Sequence, residues 1–165
     1  MSARPLKLGI AGIGRAFSFM IPTFRDDPRV EIVAGFDPRA EARARFAQDF
    51  GAKTCENMEA LCACDVDAIY IASPHQFHAP QVVVAAAHGK HVLVEKPMAL
   101  SLDDCQKMIS ATRSAGVHLI VGHSHSFDAP IRKIAELVQK RTYGDLRMIT
   151  ALNFTDFLFR PRRPE

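Results

Sequence analysis

The sequence predicts an α/β protein built on a doubly wound parallel sheet. Three observations carry that prediction. Short apolar runs alternate along the chain with amphipathic helical stretches. The runs are near-continuous in apolar residues, not alternating, as strands covered on both faces are. Glycine or a turn residue closes almost every segment.

Leu6–Ala11 is an apolar run closed by glycines and reads as the first strand. A helix follows from about Arg15 to Arg25, and Pro22 inside it should kink or shorten it. Val30–Phe36 is a β-branched strand ended by Asp37-Pro38. Arg39–Phe50 is a helix with Ala40, Ala44, Ala47 and Phe50 at helical spacing, stopped by Gly51. Glu56–Cys62 is a short helix and Ala68–Ala72 a buried strand. Ala79–His88 is a helix with Pro80 in its first turn, where a missing N–H costs nothing.

His91–Val94 is the next strand. Ser101 to Asp104 resembles a capping box and opens a helix with Leu102, Cys105, Met108, Ile109 and Thr112 on one face. Val117–Val121 is a strand. Ile131, Ile134, Leu137 and Val138 mark a last helix, and Leu146–Phe159 is a long β-prone stretch. No internal repeat or low-complexity linker interrupts the pattern.

The 165 residues hold 48% hydrophobic and 24% charged side chains, enough for a core without disulfides or metal. A net charge of +3 is too small to imply nucleic acid. No apolar run approaches the ~20 residues that span a bilayer, and the N-terminus lacks a signal-type apolar region. Cys55, Cys62, Cys64 and Cys105 have no metal-site spacing and read as idle thiols in a reducing compartment, so a cytoplasmic protein is expected.

Gly9-Ile10-Ala11-Gly12-Ile13-Gly14-Arg15-Ala16-Phe17 lies between the first strand and the first helix. Gly12 and Gly14 are the G-x-G core of a dinucleotide fingerprint. The first permits the tight turn, and the second lets backbone approach a pyrophosphate at the helix N-terminus. Phe17 stands where Gly or Ala is usual, so it should open the helix–strand spacing or tilt its ring away. Asp37 ends the second strand at about the ~20-residue spacing of a ribose-binding acid. Its carboxylate favours NAD, while the Arg39 guanidinium can accept the phosphate of NADP.

The stretch from His91 to Pro97 ends in Glu95-Lys96-Pro97. With the glycine turn, Asp37 and the loop Ser73-Pro74-His75-Gln76-Phe77-His78, it resembles the Gfo/Idh/MocA family. These are NAD(P)-dependent oxidoreductases with a Rossmann domain and a C-terminal α/β substrate domain. The resemblance implies a pyrophosphate site at Gly9, Gly12, Ile13, Gly14, Arg15 and Ala16, with Asp37 and Arg39 at the ribose. It implies cofactor contacts from Ser73, Pro74, His75, His78, Glu95 and His123. It makes Lys96 the catalytic residue, binding the reacting hydroxyl or assisting its proton transfer. That role is physically sound, since hydride leaves a carbinol carbon only as its hydroxyl loses a proton.

Gly122 to Pro130 resembles the family's crossover between domains. A dinucleotide-binding domain is therefore expected over residues 1–125. Residues 126–165 would hold the first helix and strand of a truncated substrate domain. Asp156 to Pro164, with the turns above, resembles a subgroup acting on phthalate dihydrodiols. On that reading His125, Arg160, Arg162 and Arg163 face a substrate with two carboxylates. The expected function is hydride transfer between a nicotinamide cofactor and a cyclic diol or polyol, in a homo-oligomer formed through the C-terminal sheet. Two alternatives remain: a cofactor-binding module without turnover, and a metal-dependent hydrolase using His75, His78, His123 and His125. The expected strand between the two histidine pairs argues against the hydrolase.

Overall fold

The structure, a computed structural model, describes residues 4–152 and 154. Six strands form one sheet: β1 (Leu6–Ala11), β2 (Val30–Phe36), β3 (Lys53–Cys55), β4 (Ala68–Ile71), β5 (His91–Val94) and β6 (Leu119–Val121). Their order is β3-β2-β1-β4-β5-β6, and every pairing is parallel. This is a doubly wound α/β sheet that reverses direction between β1 and β4.

Helices cover both faces. α1 (Arg15–Asp26) and α2 (Ala40–Phe50) pack through Phe17 and Phe46 onto Leu8, Ile10, Ala68 and Tyr70. α3 (Met58–Cys62), α4 (His78–Ala87) and α5 (Leu102–Ser114) pack through Leu61, Val82, Ala85 and Met108 onto Ile69, Ile71, Val92 and Val94. β4 shows why its sequence lacks alternation. Ala68 and Tyr70 serve one core, Ile69 and Ile71 the other, and all four are buried.

The chain divides into two compact units, Met1–His123 and Ser124–Glu165. The second contains a 3₁₀ turn (Ser124–Phe127) and α6 (Ala129–Gln139), with Pro130 in the helix's first turn.

Several expectations need correction. Pro22 does not shorten α1, which runs on to Asp26. Its missing N–H removes one backbone bond, but the helix's buried face, centred on Phe17, holds the remaining turns. Phe17, by contrast, takes the second of its two expected courses. Its ring turns toward α2, 5.9 Å from Phe46 and 5.6 Å from Phe50. β3 had no counterpart in the sequence pattern. Leu146–Phe159 was expected as a strand, but residues 146–152 form none, and the residues from 155 onward lie outside the described ones. A strand needs a paired neighbour, and no described strand pairs with this stretch.

Candidate functional site

The site gathers at the carboxyl ends of β1, β2, β4 and β5, around the point where strand order reverses. The turn after β1 comes first. Gly12 has φ +94°, and a Cβ there would lie 2.6 Å from the Ser73 backbone nitrogen. Only glycine fits both the conformation and the approach. Gly14 caps α1 without any side-chain cap, and α1 has no acidic residue in its first turn. A Cβ at Gly14 would meet nothing within 4 Å. The open side of the turn and the uncapped N–H groups suit a pyrophosphate, so the residues present fit a dinucleotide.

Asp37 follows β2 and is buried. Its Oδ2 accepts from the Ile13 N–H at 2.9 Å and Arg39 Nη2 at 3.1 Å. Its Oδ1 accepts from the Arg39 N–H at 3.0 Å and Arg39 Nε at 2.9 Å. Burial pushes the Asp37 carboxyl up, but the hydrogen bonds from Arg39 and Ile13 outweigh it and hold the group below its ordinary value. Arg39 Nη2 also donates to the Ile13 carbonyl at 3.2 Å. Arg43, absent from the sequence-based set, donates to the Asp37 and Pro38 carbonyls at 2.8 and 3.1 Å and fixes the loop.

The loop after β4 is held from inside. The Ser73 hydroxyl donates to Gln81 Oε1 at 2.6 Å. Pro74 leads into a 3₁₀ turn, and His75 in that turn is exposed. His78 is fully buried, with Nδ1 2.9 Å from the Pro97 carbonyl oxygen and Nε2 3.0 Å from that of Ser73. It fastens this loop to the turn after β5.

That turn holds Glu95 and Lys96. Lys96 is exposed, and the Lys96–Pro97 peptide is cis. Glu95 Oε2 accepts from the Lys96 N–H at 3.2 Å, and Glu95 Oε1 accepts from the Tyr70 hydroxyl at 2.7 Å. Burial and that bond to Glu95 push the Tyr70 phenol well above its ordinary value. Tyr70 is invisible to motif reading because it sits mid-strand among apolar residues, and its partner lies 25 residues on, past α4 and β5.

Two residues expected at the cofactor are placed elsewhere. Gly9 lies within β1, covered by Leu61 and Val66, where a Cβ would come within 3.2 Å of Leu61. It makes room for α3, not for a ligand. His78 has both ring nitrogens against main-chain carbonyls, which leaves it no atom for a cofactor or a metal. Ile13, Gly14, Arg15 and Ala16 do line the turn at the start of α1, and Arg15 lies over the Phe19 ring at 5.4 Å. His123 follows β6 in the first unit, and its N–H donates to the Val121 carbonyl. His125 belongs to the second unit, where its Nδ1 is 2.9 Å from Asp128. Arg160, Arg162 and Arg163 lie outside the described residues. The alternative metal set of His75, His78, His123 and His125 is not assembled. Among the described residues no three His, Cys, Asp or Glu side chains converge on a metal position, and β5 lies between β4 and β6.

Comparison with known proteins agrees with this geometry. The model of an oxidoreductase family with an NAD-binding Rossmann fold matches residues 6–123. The chain is 48% identical over 162 residues to a 1-carboxy-3-chloro-3,4-dihydroxycyclohexa-1,5-diene dehydrogenase of Comamonas testosteroni, covering 97% of this chain and 41% of that protein. A solved structure from Bordetella bronchiseptica RB50 superposes with a TM-score of 0.89 at 43% identity, over 96% of this chain and 42% of that one. The WlbA dehydrogenase from Bordetella pertussis, in complex with NADH and UDP-GlcNAcA, superposes with a TM-score of 0.82 at 27% identity, over 87% of this chain and 42% of that one. The chain thus spans about two fifths of the length of the proteins it matches.

Proposed function

Because the chain belongs to the Gfo/Idh/MocA oxidoreductase family, with its NAD-binding Rossmann fold, we propose that it supplies the cofactor half of an NAD(P)-dependent dehydrogenase. The substrate class is a carboxylated cyclic diol. The observation that carries the reading is the convergence of the glycine turn, Asp37 and Lys96 at the carboxyl ends of β1, β2 and β5. The 48% identity to a dehydrogenase of a carboxylated dihydroxycyclohexadiene supports the substrate class and a place in aromatic acid breakdown.

Bound nicotinamide supplies the hydride acceptor and donor. The chain's own residues do the rest. The N–H groups at the start of α1 hold the pyrophosphate, and Asp37 holds the adenosine ribose. The Lys96 ammonium stabilises the alkoxide that forms as hydride leaves, or, when neutral, takes its proton. Glu95, braced by Tyr70, fixes the backbone from which Lys96 projects. Residues 1–125 form the dinucleotide-binding domain on this reading, and 126–165 open the substrate domain. The exposed Leu146, Met148, Ile149, Leu152 and Phe154 support assembly into a homo-oligomer. Four free thiols suit the cytoplasm.

Isothermal titration of the chain with NAD and NADP tests the cofactor reading. Saturable heat with at least one of them is expected. No binding of either at millimolar concentration refutes it. Adding a carboxylated cis-diol then asks about turnover, read as absorbance growth from reduced nicotinamide.

A further inference from the structure

Two of the thiols that sequence spacing leaves idle meet in the fold. Cys55 Sγ lies 3.6 Å from Cys64 Sγ. The Cys64 thiol donates to the Ala60 carbonyl at 3.3 Å, which leaves Cys55 as the donor between the two sulfurs. The pair is nine residues apart along the chain, with α3 between them. Cys62 is buried in the same core, but its sulfur meets neither of the other two.

The two sulfurs differ in access. Cys64 is half-buried, whereas Cys55 is only 4% exposed. Burial and the hydrogen bond to Cys64 push the Cys55 thiol up to about 11, so it keeps its proton. A small oxidant therefore meets Cys64 first. A disulfide holds its sulfurs about 2 Å apart, so these two must close by roughly 1.5 Å. The elements that carry them are short. β3 has three residues at the edge of the sheet and pairs with β2 alone, and α3 has five residues. Side-chain rotation with a small shift of either segment covers the distance.

We infer that Cys55 and Cys64 are a reversible redox site, which hydrogen peroxide closes to an intramolecular disulfide and a thiol reductant reopens. In the first step the O–O bond of the peroxide breaks. Cys64 becomes a sulfenic acid, and one water leaves. In the second, the Cys55 sulfur attacks the Cys64 sulfur and the S–O bond breaks. The Cys55 proton departs with the hydroxyl as a second water. Two electrons pass in all from the sulfurs to the peroxide. Disulfides of this kind in a reducing compartment are transient and sensing, not structural. The position is also informative. Cys55 is in register with Phe36, the residue before Asp37, and Glu56 lies 4.0 Å from Arg43, which holds the Asp37 carbonyl. The pair thus sits on the strand that flanks the Asp37 loop. The inference stands on the thiol geometry and is independent of the cofactor reading.

The test is treatment of the full chain with hydrogen peroxide, followed by thiol counting and Glu-specific digestion. Cleavage at Glu56 and Glu59 separates Cys55 from Cys62 and Cys64. The unaltered chain should lose two of its four thiols. It should gain a cross-link between the Cys55 peptide and the Cys62–Cys64 peptide, and dithiothreitol should restore all four thiols. Cys62→Ser should form the same cross-link, and Cys64→Ser should form none. Cys55→Ser should stop at a sulfenic acid on Cys64, trapped by dimedone. Four thiols surviving in the unaltered chain would overturn the inference. So would a cross-link that persists in Cys64→Ser, that disappears in Cys62→Ser, or that joins separate chains only. The peptide map of the unaltered chain decides the matter even where a variant fails to fold.

Discussion

Tyr70 shows how one buried hydroxyl connects a core to a site. Its ring packs edge-on against Phe24 at 5.5 Å, while its oxygen reaches Glu95 at the start of the Lys96 turn. Removing the hydroxyl in Tyr70→Phe leaves a half-buried carboxylate oxygen without its donor, a loss of about 1–3 kcal/mol. The same residue makes stability depend on alkaline pH. Its folded pKa lies above the unfolded value of about 10. Below about pH 10 both states keep the proton, and the contribution is complete. Above it the unfolded chain releases the proton first, so stability falls as pH rises. Cys55 and Cys62, pushed up to about 11 by burial, act in the same direction in both proteins. Melting temperatures from pH 9 to 11 should therefore fall more steeply for the unaltered chain than for Tyr70→Phe. Parallel curves would remove Tyr70 from this account.

At the scale of elements, β2 and α2 fit through one missing side chain. A Cβ on Gly35 would lie 2.6 Å from the Phe46 ring. Phe46 in turn meets Phe17 and Phe50, so its ring has little room to retreat. Gly35→Ala should cost about 1–3 kcal/mol through overpacking. Adding Phe46→Leu should return part of it, so the two substitutions are strongly non-additive. Chemical denaturation of the single and double variants measures the coupling. Additive losses would mean that the methyl group is accommodated elsewhere. Much at this scale was legible in the sequence. β1, β2 and β5 were bounded by glycine, Asp-Pro or charged neighbours, and the glycine turn and Asp37 followed from spacing. β3 was not legible, because Lys53-Thr54-Cys55 is too short for any periodicity and is made a strand only by β2 beside it. Residues 146–152 differ from expectation for the converse reason: strand propensity without a neighbour specifies nothing. Tyr70 escaped because its partner Glu95 lies 25 residues along the chain, and Arg43 and Gln81 because they belong to no motif and act by holding a neighbouring loop. Gly9 and His78 were assigned to a ligand by motif, although packing and main-chain carbonyls already claim them.

At the scale of the whole molecule, the first unit contains all six strands and both cores found among the described residues. Residues 1–123 expressed alone should fold cooperatively and bind the same cofactor within about twofold of the full chain, as a self-contained core allows. Circular dichroism and titration measure this. A non-cooperative melt would show that the core needs the residues beyond His123. The sheet order has one more consequence. β1 lies at the centre, yet its two neighbours pair through Leu6↔Val30 and Leu8↔Ala68. On the ribosome, the first strand made thus waits over the longest stretch of chain for its second neighbour. It can take β2 early, but its other edge waits until residues past Ile71 have cleared the exit tunnel. During that interval Leu8 and Ile10 sit on an open edge, where a nascent chain is most vulnerable to pairing with a stranger. The strand that anchors the finished protein is, while the chain is being made, the one most in need of a chaperone.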